Sequence, residues 1–294
     1  MVWSIESEIK KYLSCRPFHR PHYDGGAVVL AGWIDYIERL KKKADGYDLV
    51  FICYGQNDQG SLTTEEFGAI YENLIRRIKH DYPYAEIVTL VESSLQSETF
   101  PDVIKSLTKR YGLINVDTRQ SFGKSALPYD QLTIDGVHPN NEGYKLYAQQ
   151  IYDALSQEYD SGKQISELGD SLLYPQSSFT SGRTLREWTT INGFIHRGNA
   201  LFGNKPGFTA ESEFEGQFVA LSYMTDPKGA LVNVYVDGKF QRQISTNIPF
   251  VVNWKSIVTS GLAQGKHQLK VEIAPAKDAV STGTFAHIIG YITN

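Results

Sequence analysis

The sequence is short of sulfur: its 294 residues include two cysteines and two methionines. Cys15 and Cys53 stand far apart, and Cys53 falls inside an apolar run where a small thiol packs as core, so neither a disulfide nor a metal site is expected. An excess of either charge is missing too. Lys and Arg total 29 against 33 Asp and Glu, a net charge of −4, which leaves no basic footprint for nucleic acid. No apolar run approaches the roughly 20 residues of a membrane helix. The opening "MVWSIESEIKKYL" is amphipathic and charged, unlike a signal peptide. Internal repeats and low-complexity tracts are absent. What is present is ordinary globular material, 41% hydrophobic and 12% aromatic, of a length that suits about two domains.

The first half alternates helical and strand patterns. Apolar positions Trp33, Ile34, Ile37 and Leu40 predict a helix over Gly32–Lys43, and "LVFICY" predicts a buried strand over Leu49–Tyr54. A second helix is expected over Thr63–His80, opened by a Thr and two Glu. A strand over Ala85–Ser93, a helix over Val103–Tyr111, a strand over Leu113–Val116 and a helix over Asn141–Leu155 follow. Such alternation implies an α/β domain with a parallel sheet covered on both faces. Beyond it the chain turns polar and broken, then reads as short strands between turns, with Asp237-Gly238 as a strong hairpin signal. The expected layout is a hydrolase-like domain over 1–157, a linker over 158–175 and an all-β sandwich over 176–294.

Two polar stretches carry chemistry. In "VFICYGQNDQG" the buried strand breaks off at Gly55 into Gln56-Asn57-Asp58. In an open α/β sheet, loops at the carboxyl ends of strands line the ligand crevice. In "TIDGVHPNNEGYKLYAQ", Asp135 and His138 stand three apart before a helix. A carboxylate there accepts one imidazole N–H and leaves the other nitrogen as a general base.

Together, Gly55-Gln56-Asn57-Asp58 and Asp135-Gly136-Val137-His138-Pro139-Asn140 resemble the motifs of the SGNH or GDSL-type esterase family, over about the first half of the chain. The resemblance implies a flavodoxin-like parallel sheet and serine-ester hydrolysis without metal or organic cofactor. It makes His138 the general base, Asp135 its orienter and Asn57 an oxyanion donor. A second donor is implied from a glycine amide in "HYDGGAVVLAGW", Gly26 first and Gly25 second.

The sequence departs from that family at its nucleophile. No Gly-Asp-Ser precedes the first helix, which resembles Val2–Leu13. The one such triplet, Gly169-Asp170-Ser171, follows no strand. Ser4 and Ser14 fall on or beside a helix rather than at a strand-to-helix elbow. The family's first, central strand is therefore expected to be missing. A longer natural chain, a second chain completing the sheet, or a binding role without catalysis would each account for this.

The strand-rich second half, with "NVYVDGKFQRQIS" and "GLAQGKHQLKVEI", resembles the jelly-roll module that accompanies carbohydrate esterases. Trp188 and Trp254 are candidates for stacking on sugar rings, or for core. The implied protein is a deacetylase of a polysaccharide or other acylated glycan, at an extracellular, cell-surface or virion-associated location and with neither nucleic acid nor membrane as partner. The alternative is a catalytically inactive glycan-binding or structural protein on the same scaffold.

Overall fold

β-Branched residues flanked by turn formers build the first strands of the protein, β1 (Leu49–Cys53), β2 (Glu86–Val91) and β3 (Ile114–Asp117). The computed structural model describes residues 28–38, 46–162 and 164–294. Five helices are found among them: α1 (Val29–Glu38), α2 (Thr64–Asp81), α3 (Thr99–Tyr111), α4 (Arg119–Gly123) and α5 (Asn141–Ser161). Residues 46–59 and Ile75–Leu173 lie in one compact unit, and residues 28–38, Gly60–Leu74 and Tyr174–Asn294 in a second.

In the first unit β1, β2 and β3 pair in parallel in that order. Alternation along β2 divides its side chains between two faces. Val88 and Leu90 join Ile114, Val116 and Ile151 in one buried cluster, against which Ala154 and Leu155 of α5 also pack. Thr89 between them points the other way, and its Oγ1 lies 2.6 Å from Thr108 Oγ1 on α3. Helices thus cover both faces, as the α/β pattern predicts. The helix expected from Val103 starts at Thr99, because Pro101 falls in the first turn, where its missing N–H has no helical partner to lose. The helix expected to end at Leu155 runs to Ser161 and stops only at Gly162, whose φ of 63° suits a left-handed cap.

The second unit holds antiparallel sheets. Its strands are β4 (Arg183–Leu185), β5 (Thr190–Asn192), β6 (Ile195–Arg197), β7 (Ala200–Gly203), β8 (Thr209–Glu215), β9 (Phe218–Met224), β10 (Leu231–Val236), β11 (Lys239–Ser245), β12 (Asn253–Ser260), β13 (Lys266–Ile273) and β14 (Ala286–Thr293). One sheet has the order β11-β10-β13-β8-β5 and the other β12-β9-β14-β7-β6, with β4 also paired to β14. Val232, Val234, Leu269, Val271, Val219, Leu221 and Ile288 meet in the core. The Asp237-Gly238 turn closes β10 on β11 with both φ values positive, 52° and 73°, the geometry of a two-residue hairpin.

β9 is buried on both faces through six of its seven residues, and α1 explains why. Trp33 lies 6.3 Å from the rings of both Phe179 and Phe218, and Ile34 and Trp33 close over Gly182. Asp35 of α1 and Lys255 of β12 form a buried ion pair at 3.4 Å. Trp188 and Trp254 are partly buried and pack against the sandwich core. Among the described residues no helix is long and apolar enough to cross a membrane.

Candidate active site

The Asp135–His138 motif occupies a short antiparallel ribbon at the entrance to α5. Thr133 pairs with Pro139, the Ile134 amide donates to the His138 carbonyl at 2.8 Å, and the Asn140 amide donates to the Leu132 carbonyl at 2.9 Å. Opposed residues of such a ribbon point to the same side. Thr133 and Pro139 are accordingly buried, and Ile134 and His138 are exposed together. At the ribbon's end Asn140 caps α5: its Oδ1 accepts from the amides of Glu142 and Gly143, and its Nδ2 donates to the Gln131 carbonyl.

Asp135 uses both carboxylate oxygens. Oδ1 accepts from the backbone amides of Val137 at 3.0 Å and His138 at 2.8 Å, and Oδ2 lies 2.7 Å from His138 Nδ1. Those bonds, the His138 amide first and the imidazole second, hold its pKa at about 2. The carboxylate stays ionised at any working pH, and an ionised acceptor places the ring proton on Nδ1. Nε2 is left as the ring nitrogen able to accept a proton.

Asn57 lies at the exit of β1, in a single 3₁₀ turn formed by Gln56–Asp58. The turn begins at Gly55, with φ 137° and its Cα so near Leu95 that a β-carbon would stand 3.2 Å from Leu95 Cδ1. Only glycine fits a conformation of that sign in that space. Asn57 is exposed and its neighbour Asp58 is buried.

A further polar residue stands at the exit of β2. Glu92 follows the last residue of β2, and its Oε2 accepts the Gln56 amide at 3.1 Å. Burial raises its pKa, opposed by the Gln56 bond, by a bond from the Cys53 thiol and by the charge of His138. Cys53 is pushed up in turn by burial and by the Glu92 charge. Next to Glu92, the Ser93 amide donates to Tyr147 Oη at 2.8 Å, and that hydroxyl donates to Ser93 Oγ at 3.1 Å. The rule that singled out Asn57, a polar residue at a strand exit, applies equally to Glu92.

The turn that bears Asn57 thus rests on Glu92 at the carboxyl ends of β1 and β2, and the Asp135–His138 pair stands at the entrance to α5. Gly25 and Gly26 lie outside the described residues, as does the helix expected over Val2–Leu13. Gly169-Asp170-Ser171 lies in the irregular stretch between α5 and β4. Among the described residues no group of three or more His, Cys, Asp or Glu is arranged to hold a metal ion.

Residues 23–146 match the model of the GDSL-like Lipase/Acylhydrolase family. Among solved structures, a two-domain esterase active on acetylated mannans, co-crystallized with mannopentaose, aligns with a TM-score of 0.73 at 16% identity, over 91% of this chain and 77% of that one. A further structure of a two-domain esterase active on acetylated mannans gives 0.72 at 16% identity, over 91% and 78%. A putative GDSL-like lipase from Parabacteroides merdae aligns over 44% of this chain and 68% of its own at 19% identity, with a TM-score of 0.39. No curated protein matches. At such identities the likeness is one of fold: an SGNH-like parallel sheet with helices, followed by antiparallel sheets.

Proposed function

We propose, from the premise that residues 23–146 form a GDSL-like lipase/acylhydrolase domain, that this protein is a serine esterase of the SGNH type that deacetylates a polysaccharide. The observation that supports this most directly is the 2.7 Å Asp135–His138 pair, whose carboxylate orients the imidazole through Nδ1. The fold likeness to esterases active on acetylated mannans supports an acetylated glycan as the substrate class. The β-sandwich of residues 176–294 is then the part that addresses the glycan, the hydrolase chemistry belongs to residues 1–157, and 158–175 links them.

In the proposed reaction His138 Nε2 removes the proton from a serine hydroxyl as its oxygen attacks the acetyl carbon. Negative charge develops on the carbonyl oxygen, where the Asn57 amide donates a hydrogen bond, with a glycine amide, Gly26 or Gly25, as the second donor. The imidazolium, stabilised by Asp135, returns the proton to the sugar oxygen as the ester bond breaks. Water then attacks the acyl-enzyme by the same route, and acetate leaves.

The test is acetate release from acetylated mannan and from p-nitrophenyl acetate, with a fluorophosphonate probe to find the serine by peptide mapping. His138→Ala should lower kcat by about four orders of magnitude with an unchanged melting curve. Asn57→Ala should lower kcat by roughly two to three orders, where an effect confined to KM would remove its oxyanion role. Binding of mannan with neither labelling nor acetate release would favour the catalytically inactive glycan-binding reading instead.

A further inference from the structure

Resting on the esterase reading above, we infer that Glu92 is a positioning residue, whose carboxylate reaches across to Gln56 and fixes the turn that aims Asn57. The geometry isolates this role. Gln56–Asp58 is only one 3₁₀ turn long, and its internal backbone bond runs from the Asp58 amide to the Gly55 carbonyl. The Gln56 amide faces out of that turn, and Glu92 Oε2 takes it at 3.1 Å. On the other side Leu95, three residues beyond Glu92, seats Gly55. The loop after β2 therefore contributes a polar bond and an apolar contact to the bed on which the Asn57 turn rests.

The next residue along extends the arrangement. Ser93 exchanges two hydrogen bonds with Tyr147 of α5, and α5 is capped by Asn140, two residues after His138. Consecutive residues at one strand exit thus tie down both halves of the site: Glu92 the oxyanion half, Ser93 the acid–base half. Tyr144, on the same helix, packs edge-on to Tyr147 at 6.2 Å, which stiffens the second tie. A carboxylate suits the first position because it is an acceptor only when ionised, and so cannot compete with the Gln56 amide as a donor.

Two near-isosteric variants separate reach from charge. Glu92→Gln keeps an acceptor oxygen at full length; Glu92→Asp keeps the charge and withdraws it by one methylene. With acetylated mannan as substrate, Glu92→Asp should lose about 10- to 100-fold in kcat with KM within about twofold, since misplacing a reacting group by ~1 Å costs that order. Glu92→Gln should retain kcat within about fivefold, and both should melt with the wild type. Amide hydrogen exchange at Gln56 should accelerate in Glu92→Asp alone. The reverse pattern, with Asp active and Gln impaired, would show that charge near His138 matters and would overturn the positioning role. Unchanged kcat in both variants of an active protein would overturn it as well. A wild-type protein without esterase activity overturns the reading beneath it and this inference together.

Discussion

Asp135 divides its oxygens between backbone and imidazole, so one side chain both shapes the loop and orients the His138 ring. Substituting Asn separates these duties. Its Oδ1 can still accept the Val137 and His138 amides, and the ribbon keeps its shape. Its amide group, however, offers N–H to an Nδ1 that now needs an acceptor, and the ring turns to the wrong tautomer. Asp135→Asn should therefore lower kcat by at least about two orders of magnitude at an unchanged melting temperature. The double variant with His138→Ala should be no slower than His138→Ala alone, because residues that act as a unit do not add. A strictly additive double variant would mean that Asp135 acts elsewhere. The spacing Asp-x-x-His and the polar break after β1 make Asp135, His138 and Asn57 legible in the sequence. The same strand-exit rule reaches Glu92, but its role is not legible, because its partner Gln56 stands 36 residues back and nothing local to "VESS" distinguishes a loop anchor from a polar turn.

Helix α5 shows how an element serves the site through its first turn. Asn140 supplies the capping oxygen for two orphan amides and a donor to Gln131, and Gly143 lets the Leu132 carbonyl and the Phe122 ring approach, the ring to 2.9 Å of where a β-carbon would stand. Asn140→Ala should cost about 1–2 kcal/mol in a denaturant melt, and kcat should fall too because the ribbon holding His138 loses its base. Asn140→Asp keeps the cap and should recover most of the stability; a full loss with Asp would place the effect outside capping. The start of α5 is legible from "NNEGYKL", and that of α2 from Thr63 and Glu66, which do exchange reciprocal backbone bonds at 3.1 Å. The end of α5 is less so. Residues 156–161 show no apolar stripe, so the pattern reads as linker, yet no breaker arrives before Gly162 and the helix continues.

Over the whole molecule, pH acts on stability through a second Asp–His pair, in the sandwich. His267 Nδ1 lies 2.7 Å from Asp237 Oδ2 and its Nε2 lies 2.9 Å from the Ala263 carbonyl, so the imidazolium satisfies both acceptors and the neutral ring only one. The Ala263 carbonyl, then Asp237, raise His267 above its ordinary 6.5; the Gln268 amide, then His267, lower Asp237 below 3.8. A raised histidine stabilises fully below its unfolded pKa, and that contribution fades as pH rises through the folded value. A lowered aspartate stabilises above its unfolded pKa and fades as pH falls through the folded one. The pair should thus contribute most between about pH 4 and 6.5. The gap in melting temperature between wild type and His267→Gln should be widest there and narrow towards pH 8; a gap independent of pH would show that the imidazolium contributes nothing.

The second unit is assembled from separated stretches of sequence, and time gives that fact a meaning. Asp35 and Lys255, 220 positions apart, cannot meet until the long stretch between them has left the ribosome. At about 5–20 residues per second, α1 waits on the order of ten seconds or more for the sheet that buries Trp33 and Ile34. During that interval its apolar side faces water or a chaperone, while β1, β2 and β3, which are local in sequence, are already free to pair. The order of emergence thus favours the parallel sheet before the sandwich in which α1 finally packs, and it makes α1, rather than the late strands, the stretch most exposed to aggregation during synthesis.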